Sequence, residues 1–213
     1  MIITKTPFRM SFFGGGTDME EYFRENEGAV LSTTFDKYCY VNVRHLPRFF
    51  DYSTELSYSK TERVTDINDI QHPAIREAMK MLDMREIRLT YEADLPARSG
   101  LGTSSSFAVG MLNAFYALKG KYADKKKLAD EAIYLERVLC NESGGWQDQI
   151  AASFGGFNRI NFNSDGYEVL PVIISPERKR MLNDNLLMFF TGSHVFLQMC
   201  RRQIKQAVQK TKV

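Results

Sequence analysis

The stretch ADLPARSGLGTSSSFAVGMLNAFYAL, residues 93–118, decides the fold. Pro96, Gly100 and Gly102 punctuate a loop, and from Thr103 onward an unbroken run of apolar and small residues predicts about four turns of buried helix. Glycines let a ligand approach the backbone, and the free N–H groups and positive dipole end of the helix start attract anions. Gly100-Leu101-Gly102-Thr103-Ser104-Ser105 therefore has the chemistry of a phosphate cradle, with hydroxyls that could also ligate Mg²⁺. It is not a Walker A loop, because no Lys follows the glycines, and Gly100-x-Gly102-x-x-Ser105 lacks the third glycine of the dinucleotide fingerprint. The same residues also suit a plainly capped helix packed closely through its glycines.

Outward from this loop, short β-prone runs at residues 2–6, 29–34 and 37–43 predict strands. The order continues with a short helix at 19–25, a Pro-started helix at 72–82 and a strand at 87–92. Beyond the loop, 125–139 reads as one amphipathic helix and 146–153 as another. Strands are expected at 156–162, 167–173 and 186–190. This order predicts an α+β domain with helices packed on a mostly antiparallel sheet.

The 213 residues carry 44% hydrophobic and 25% charged side chains, enough for a large core and unlike a disordered or disulfide-built chain. With 28 basic and 26 acidic residues the net charge is +2, too balanced for a dedicated nucleic-acid or membrane-surface binder. Cys39, Cys140 and Cys200 form no CxxC and no framework, and the first residues lack a signal-peptide core. No apolar run approaches the roughly 18 residues of a membrane helix. These features predict a soluble cytoplasmic chain with neither nucleic acid nor membrane as partner.

Three further segments carry chemistry. Asp148, between two glutamines in SGGWQDQIAASFGGF (143–157), suits a general base or a helix-start acid complementing the dipole. Glu136 lies among apolar neighbours in IYLERVLC (133–140), so it is a helix-surface acid or an inward-facing metal ligand. Gly14-Gly15-Gly16-Thr17-Asp18 reads as a strand-to-helix turn whose bare backbone lets a ligand close, with Asp18 available to sugar hydroxyls or as an N-cap. Arg9 precedes it and could hold a phosphate or lower a hydroxyl's pKa. The three His residues form no spaced pair, which argues against zinc and against a His-based triad. Trp146 reads as a packing residue.

Taken together, PFRMSFFGGGTD, PARSGLGTSSS, a helical Glu and GGWQDQIAASFGG resemble, in order and spacing, the GHMP small-molecule kinases, and within them the heptose 7-phosphate kinase branch. The second motif, P-x-x-x-G-L-G-S-S-A, is matched by Pro96, Gly100, Leu101, Gly102, Thr103 and Ser104, with Thr103 in place of the first Ser. Gly14-Gly15-Gly16 stands where the galactokinase and mevalonate kinase branches carry Gly-Glu-His. The resemblance covers residues 1–192 and implies the family's N-terminal domain, a ribosomal protein S5 domain 2-like fold, without its C-terminal ferredoxin-like domain. It also implies that Pro96 and Gly100 to Ser105 bind ATP, that Ser104 and Glu136 hold Mg²⁺, and that Asp148 is the base with Arg9 beside it. Gly15, Gly16 and Asp18 would line the sugar pocket. The implied reaction is ATP-dependent phosphorylation of a sugar or sugar phosphate, foremost the anomeric hydroxyl of D-glycero-D-manno-heptose 7-phosphate. A fucose or galactose kinase, or a catalytically silent nucleotide- or sugar-binding domain, are the alternatives.

After Gly192 the likeness stops. Reverse-translating Ser193 onward and reading two bases later permits SRFSSDVQKANKASGAEDK, a family-like continuation, so residues 193–213 read as a non-family tail, either the product of a one-base frameshift, the favoured reading, or a natural end that matches by chance. An apolar surface left by the absent domain would favour self-association. The coding DNA, read in the shifted frame beyond codon 193, is expected to stay open and to encode a further glycine-rich motif. A stop within a few codons overturns the frameshift.

Overall fold

A computed structural model describes residues 1–96 and 99–189. Its frame is β2 (Gly28–His45), an 18-residue strand flanked along one side by β1 (Ile2–Phe13) in antiparallel register, Ile2 opposite Val43 and Ser11 opposite Ser32. A strand has only two sides, so β2 divides the other between two neighbours. Its first part pairs with β6 (Phe157–Asn163), Gly28 opposite Phe162, and its last part with β5 (Ile87–Ala93), Val43 opposite Leu89. The seven-stranded sheet is completed by β7 (Gly166–Pro171) beside β6, and by a hairpin of β3 (Thr54–Ser57) and β4 (Thr61–Val64) beyond β5. All pairings are antiparallel except β3 with β5, so the expected α+β class with a mostly antiparallel sheet holds.

Residues 2–6 were expected to end the first strand, and 29–34 and 37–43 to form two; β1 and β2 instead run long and continuous. The breaks appear as slips in register, between Pro7 and Arg9 and between Ser11 and Phe13. Such irregularities bend a strand and re-aim its side chains. At the first slip the Arg9 N–H donates to the Leu101 carbonyl (3.2 Å), joining β1 to the glycine loop.

Helices α1 (Glu20–Phe23), α2 (Pro73–Met81) and α3 (Thr103–Leu118) fall where the sequence places them. The main core lies between one sheet face, with Phe8, Val41, Val43, Leu56 and Leu89, and Ile75, Met79, Met111, Leu112 and Phe115 of α2 and α3. A second cluster, Phe23, Val30, Ile150, Ile160 and Phe162, packs α5 (Gln147–Phe154) on the β6 end of the sheet. Trp146 meets Phe23 edge-on at 4.7 Å, in keeping with a packing role.

Two departures bear on the site. The helix expected over 125–139 is α4 (Lys125–Ile133) followed by a π-helical turn, Tyr134–Leu139, in which the Cys140 N–H reaches back to the Leu135 carbonyl (2.9 Å). The wider turn shifts the helical phase and leaves Glu136 inside. The strand expected at 186–190 is not formed: residues 186–189 come after α6 (Pro176–Asp184) with no strand alongside them, and Leu187 and Phe189 are exposed. Phe190 and the tail expectations for 193–213 lie outside the described residues, as do Ala97 and Arg98. The β3–β4 hairpin and α6 were not anticipated, because four-residue strands and a helix with no buried face leave little periodicity to read.

α3 crosses β1 closely at Gly110. The Thr4 hydroxyl donates to the Gly110 carbonyl (2.9 Å), and a Cβ at Gly110 would sit 2.7 Å from Thr6 Oγ1. Gly110→Leu is expected to destabilise the domain by about 1–3 kcal/mol through overpacking, read as a lower urea midpoint at unchanged slope.

Candidate functional site

The loop that enters α3 ends at Gly102, whose φ of +74° is readily adopted only by glycine, and this N-cap supplies no side-chain hydrogen bond. The Ser106 N–H makes the first intrahelical bond, to the Gly102 carbonyl (2.9 Å). The N–H groups of Thr103 to Ser105 precede it and are left to meet a ligand or water.

Beneath the loop lies Arg9. Its Nε (2.8 Å) and Nη2 (2.6 Å) both reach Asp148 Oδ1, and Nη1 donates to the Gly100 carbonyl (3.0 Å). The two side chains are only 11% and 9% exposed, so this ion pair is shielded in a way surface pairs are not. A Cβ on Gly102 would lie 3.2 Å from Arg9 Cγ, so glycine is also what lets the loop close over the pair.

Asp148 sits in the first turn of α5, and one turn of the same region fixes Asp18. Asp18 Oδ1 accepts from the Gly16 N–H (3.0 Å) and Oδ2 from the Gln147 N–H (3.1 Å), while its carbonyl accepts from the Trp146 N–H (3.1 Å). A Cβ on Gly145 would overlap the Asp18 carboxylate. Asp18 is therefore 2% exposed and braces the glycine turn against α5, with a backbone donor on each carboxylate oxygen. Burial raises its pKa above the ordinary carboxylate value, and the Asp148 charge adds to the rise. Gly15 remains beside Gln147, whose Oε1 accepts from the Ser11 hydroxyl (2.6 Å).

Glu136, also 2% exposed, accepts at Oε2 from the Ser105 hydroxyl (2.6 Å) and from Gln149 Nε2. Burial pushes its pKa up, and the Arg137 charge with these two hydrogen bonds only partly offsets the rise. The hydroxyl bonded to Glu136 is that of Ser105, not of Ser104. Successive helical residues point about 100° apart, so Ser105 turns inward to the acid while Ser104 is exposed at the helix start. The Gln149 Oε1 is buried with no hydrogen-bond partner. Among the described residues no group of three or more His, Cys, Asp or Glu is gathered as a metal cage.

The structure thus brings Arg9, Gly100, Leu101, Gly102, Asp148, Asp18 and Gly16 into one neighbourhood, with Ser105 and Glu136 behind the loop. Gln149 and Ser11 had no independent signal, because their partners lie 13 and 136 residues away.

Comparison with known proteins agrees with this architecture. Residues 70–156 match the profile of the GHMP kinases N terminal domain. The chain is 32% identical over 187 residues to D-glycero-alpha-D-manno-heptose 7-phosphate kinase of Campylobacter jejuni, an alignment covering 83% of this chain and 54% of that protein. The crystal structure of a D-glycero-D-manno-heptose 1-phosphate kinase from Bacteroides thetaiotaomicron superposes with a TM-score of 0.77 at 25% identity, covering 100% of this chain and 72% of that one. A mevalonate kinase structure shares the fold at a TM-score of 0.63 and 15% identity. The protein has the fold of the GHMP kinase N-terminal domain. It spans about half the length of the Campylobacter relative.

Since Glu136 is charged only against its burial, its stability contribution has a definite sign. A carboxyl whose folded pKa is raised stabilises below its unfolded value, near 4.5, and loses that contribution as pH rises through the folded value. Glu136→Gln is therefore expected to raise the thermal midpoint at pH 8, with the gain shrinking toward zero as pH falls to about 4.5. A constant difference between variant and parent across that range contradicts the assignment.

Proposed function

We propose that this domain binds ATP and a sugar phosphate and transfers the γ-phosphoryl group to the sugar, with a heptose 7-phosphate as first candidate acceptor. The observation that carries the reading is the Arg9 guanidinium bonded at once to Asp148 and to the glycine loop, which ties an acid to a phosphate cradle. The 32% identity to the Campylobacter heptose 7-phosphate kinase supports the acceptor.

In this mechanism Asp148 accepts the proton of the attacking hydroxyl while that oxygen forms a bond to the γ-phosphorus. The bond between the γ-phosphorus and its bridging oxygen breaks, and ADP leaves. An anomeric hydroxyl is more acidic than an ordinary alcohol, which suits a carboxylate base. Arg9 orients Asp148 and sets its positive charge beside the reacting oxygens. Gly100 to Gly102 and the N–H groups of Thr103 to Ser105 receive the triphosphate, with Pro96 and Leu101 shaping the approach. Gly15 and Gly16 border the acceptor, and Asp18 acts by holding their turn in place. Phosphoryl transfer has a loose, charge-rich transition state, so positioning and neutralisation supply most of the catalysis.

The donor set at Glu136 fits Mg²⁺. A carboxylate, the Ser105 hydroxyl and the unpartnered Gln149 Oε1 are all hard oxygen ligands, and Mg²⁺ characteristically takes one or two carboxylates plus substrate phosphates and waters. Glu136 and Ser104 would hold the ion. Bound there, it would neutralise charge on the transferring phosphates.

Asp148→Asn keeps an oxygen for Arg9 but removes the base. ADP release with heptose 7-phosphate is expected to fall about 10²–10⁴-fold, while ATP affinity by calorimetry stays within about twofold. Undiminished release at intact ATP affinity refutes Asp148 as base. ATP binding with no turnover in the parent chain marks a silent nucleotide-binding domain.

A further inference from the structure

The sheet face turned away from the helices carries charge that phosphoryl transfer at Asp148 does not use. Val41, Val43, Ile87 and Leu89 enter the core, so the alternate residues Asn42, Arg44, Arg88 and Thr90 point outward. Together with Glu55 and Arg63 of the β3–β4 hairpin they line a concavity of about 420 Å³. It opens at the start of β5, whereas the glycine loop lies past the end of that strand.

Its charges do not balance. Glu55 has a side chain only 6% exposed and is shared by Arg88 and by Arg63 (3.2 Å), with a further bond from the Tyr52 hydroxyl (2.8 Å). Arg44 stands directly opposite Arg88 across the β2–β5 ladder. It has no acidic partner among the described residues. Like charges facing each other across a strand pair are unfavourable, and here three guanidiniums line a concavity with one carboxylate, which only Arg63 and Arg88 reach. A guanidinium fork matches a phosphate in geometry as well as charge. The same concavity holds a second unmet demand: Asn42 Oδ1 is buried and accepts no hydrogen bond. An acceptor calls for a donor, which a bare phosphate dianion lacks and a sugar hydroxyl provides.

We propose that this outer face is a second ligand site, separate from the Asp148 groove, for a small phosphorylated polyol. Its phosphate sits between Arg44 and Arg88, and a hydroxyl donates to Asn42. The site does not depend on the phosphoryl-transfer reading, since no residue of that groove takes part.

Calorimetry at fixed ionic strength, with glucose 6-phosphate and inorganic phosphate as probes, tests it. The parent chain is expected to bind glucose 6-phosphate more tightly than phosphate. Arg44→Ala, which removes an unpaired side chain and relieves repulsion, should weaken both by about tenfold or more while leaving ATP affinity unchanged. Arg44→Lys should fall between, keeping charge without the fork. Asn42→Ala should erase only the preference for the sugar phosphate. Equal affinities in the parent and Arg44→Ala, or no binding of either probe to the parent, overturn the proposal; equal affinities would place any bound sugar phosphate elsewhere, whatever the fate of Asp148.

Discussion

One guanidinium holds the site together. Arg9 stands where β1 slips out of register with β2, and from there its side chain reaches Asp148 on α5 and the Gly100 carbonyl of the loop, while its N–H takes the Leu101 carbonyl. Three elements distant in sequence are thereby referred to one residue. Any movement of the glycine loop is felt at the acid, and any change in the acid's charge is felt at the loop. An ion pair with both side chains about one-tenth exposed has paid most of its desolvation, so breaking it by removing one partner is costlier than the pair's net worth.

The neighbouring acids obey a different logic. Asp18 and Glu136 are each buried with no cationic side chain bonded to them among the described residues, held by backbone or neutral donors, and both are pushed toward protonation. A fold selected for stability alone would place neutral groups there. The cost is concentrated around one loop, and a cation at Glu136 would turn an unfavourable burial into a favourable one.

Much of this was legible in the chain. The glycine loop, the helix after it, and the helices at 72–82 and 146–153 announce themselves through punctuation and apolar runs, and the structure puts them there. Arg9, Asp148 and Glu136 could be named as candidates because an acid or base stood among glycines, glutamines or apolar neighbours. Their mutual geometry could not. The turn from Ser104 to Ser105 depends on helical phase at a left-handed cap. The inward aim of Glu136 depends on a π-turn with no residue signature, and the bracing role of Asp18 depends on α5 arriving from 129 residues away. Residues 186–189 show the reverse error: an apolar run with strand propensity forms no strand, because propensity counts for little without a neighbour to pair with.

The shared flank of β2 also sets a timetable. Its first half waits for β6, with Gly28 paired to Phe162, while its second half pairs with the much earlier β5. As the chain leaves the ribosome, the sheet can therefore build from β1 to β5 and α3 while its other end stays unpaired, because contacts between remote segments form late. Arg9 and the glycine turn at 14–18 are made first, yet their partners on α5 arrive only after most of the domain has been synthesised. A newborn chain would carry a folded half-sheet with an unfinished pocket, and in that interval the exposed edge of β2 is the part most in need of protection from neighbouring chains.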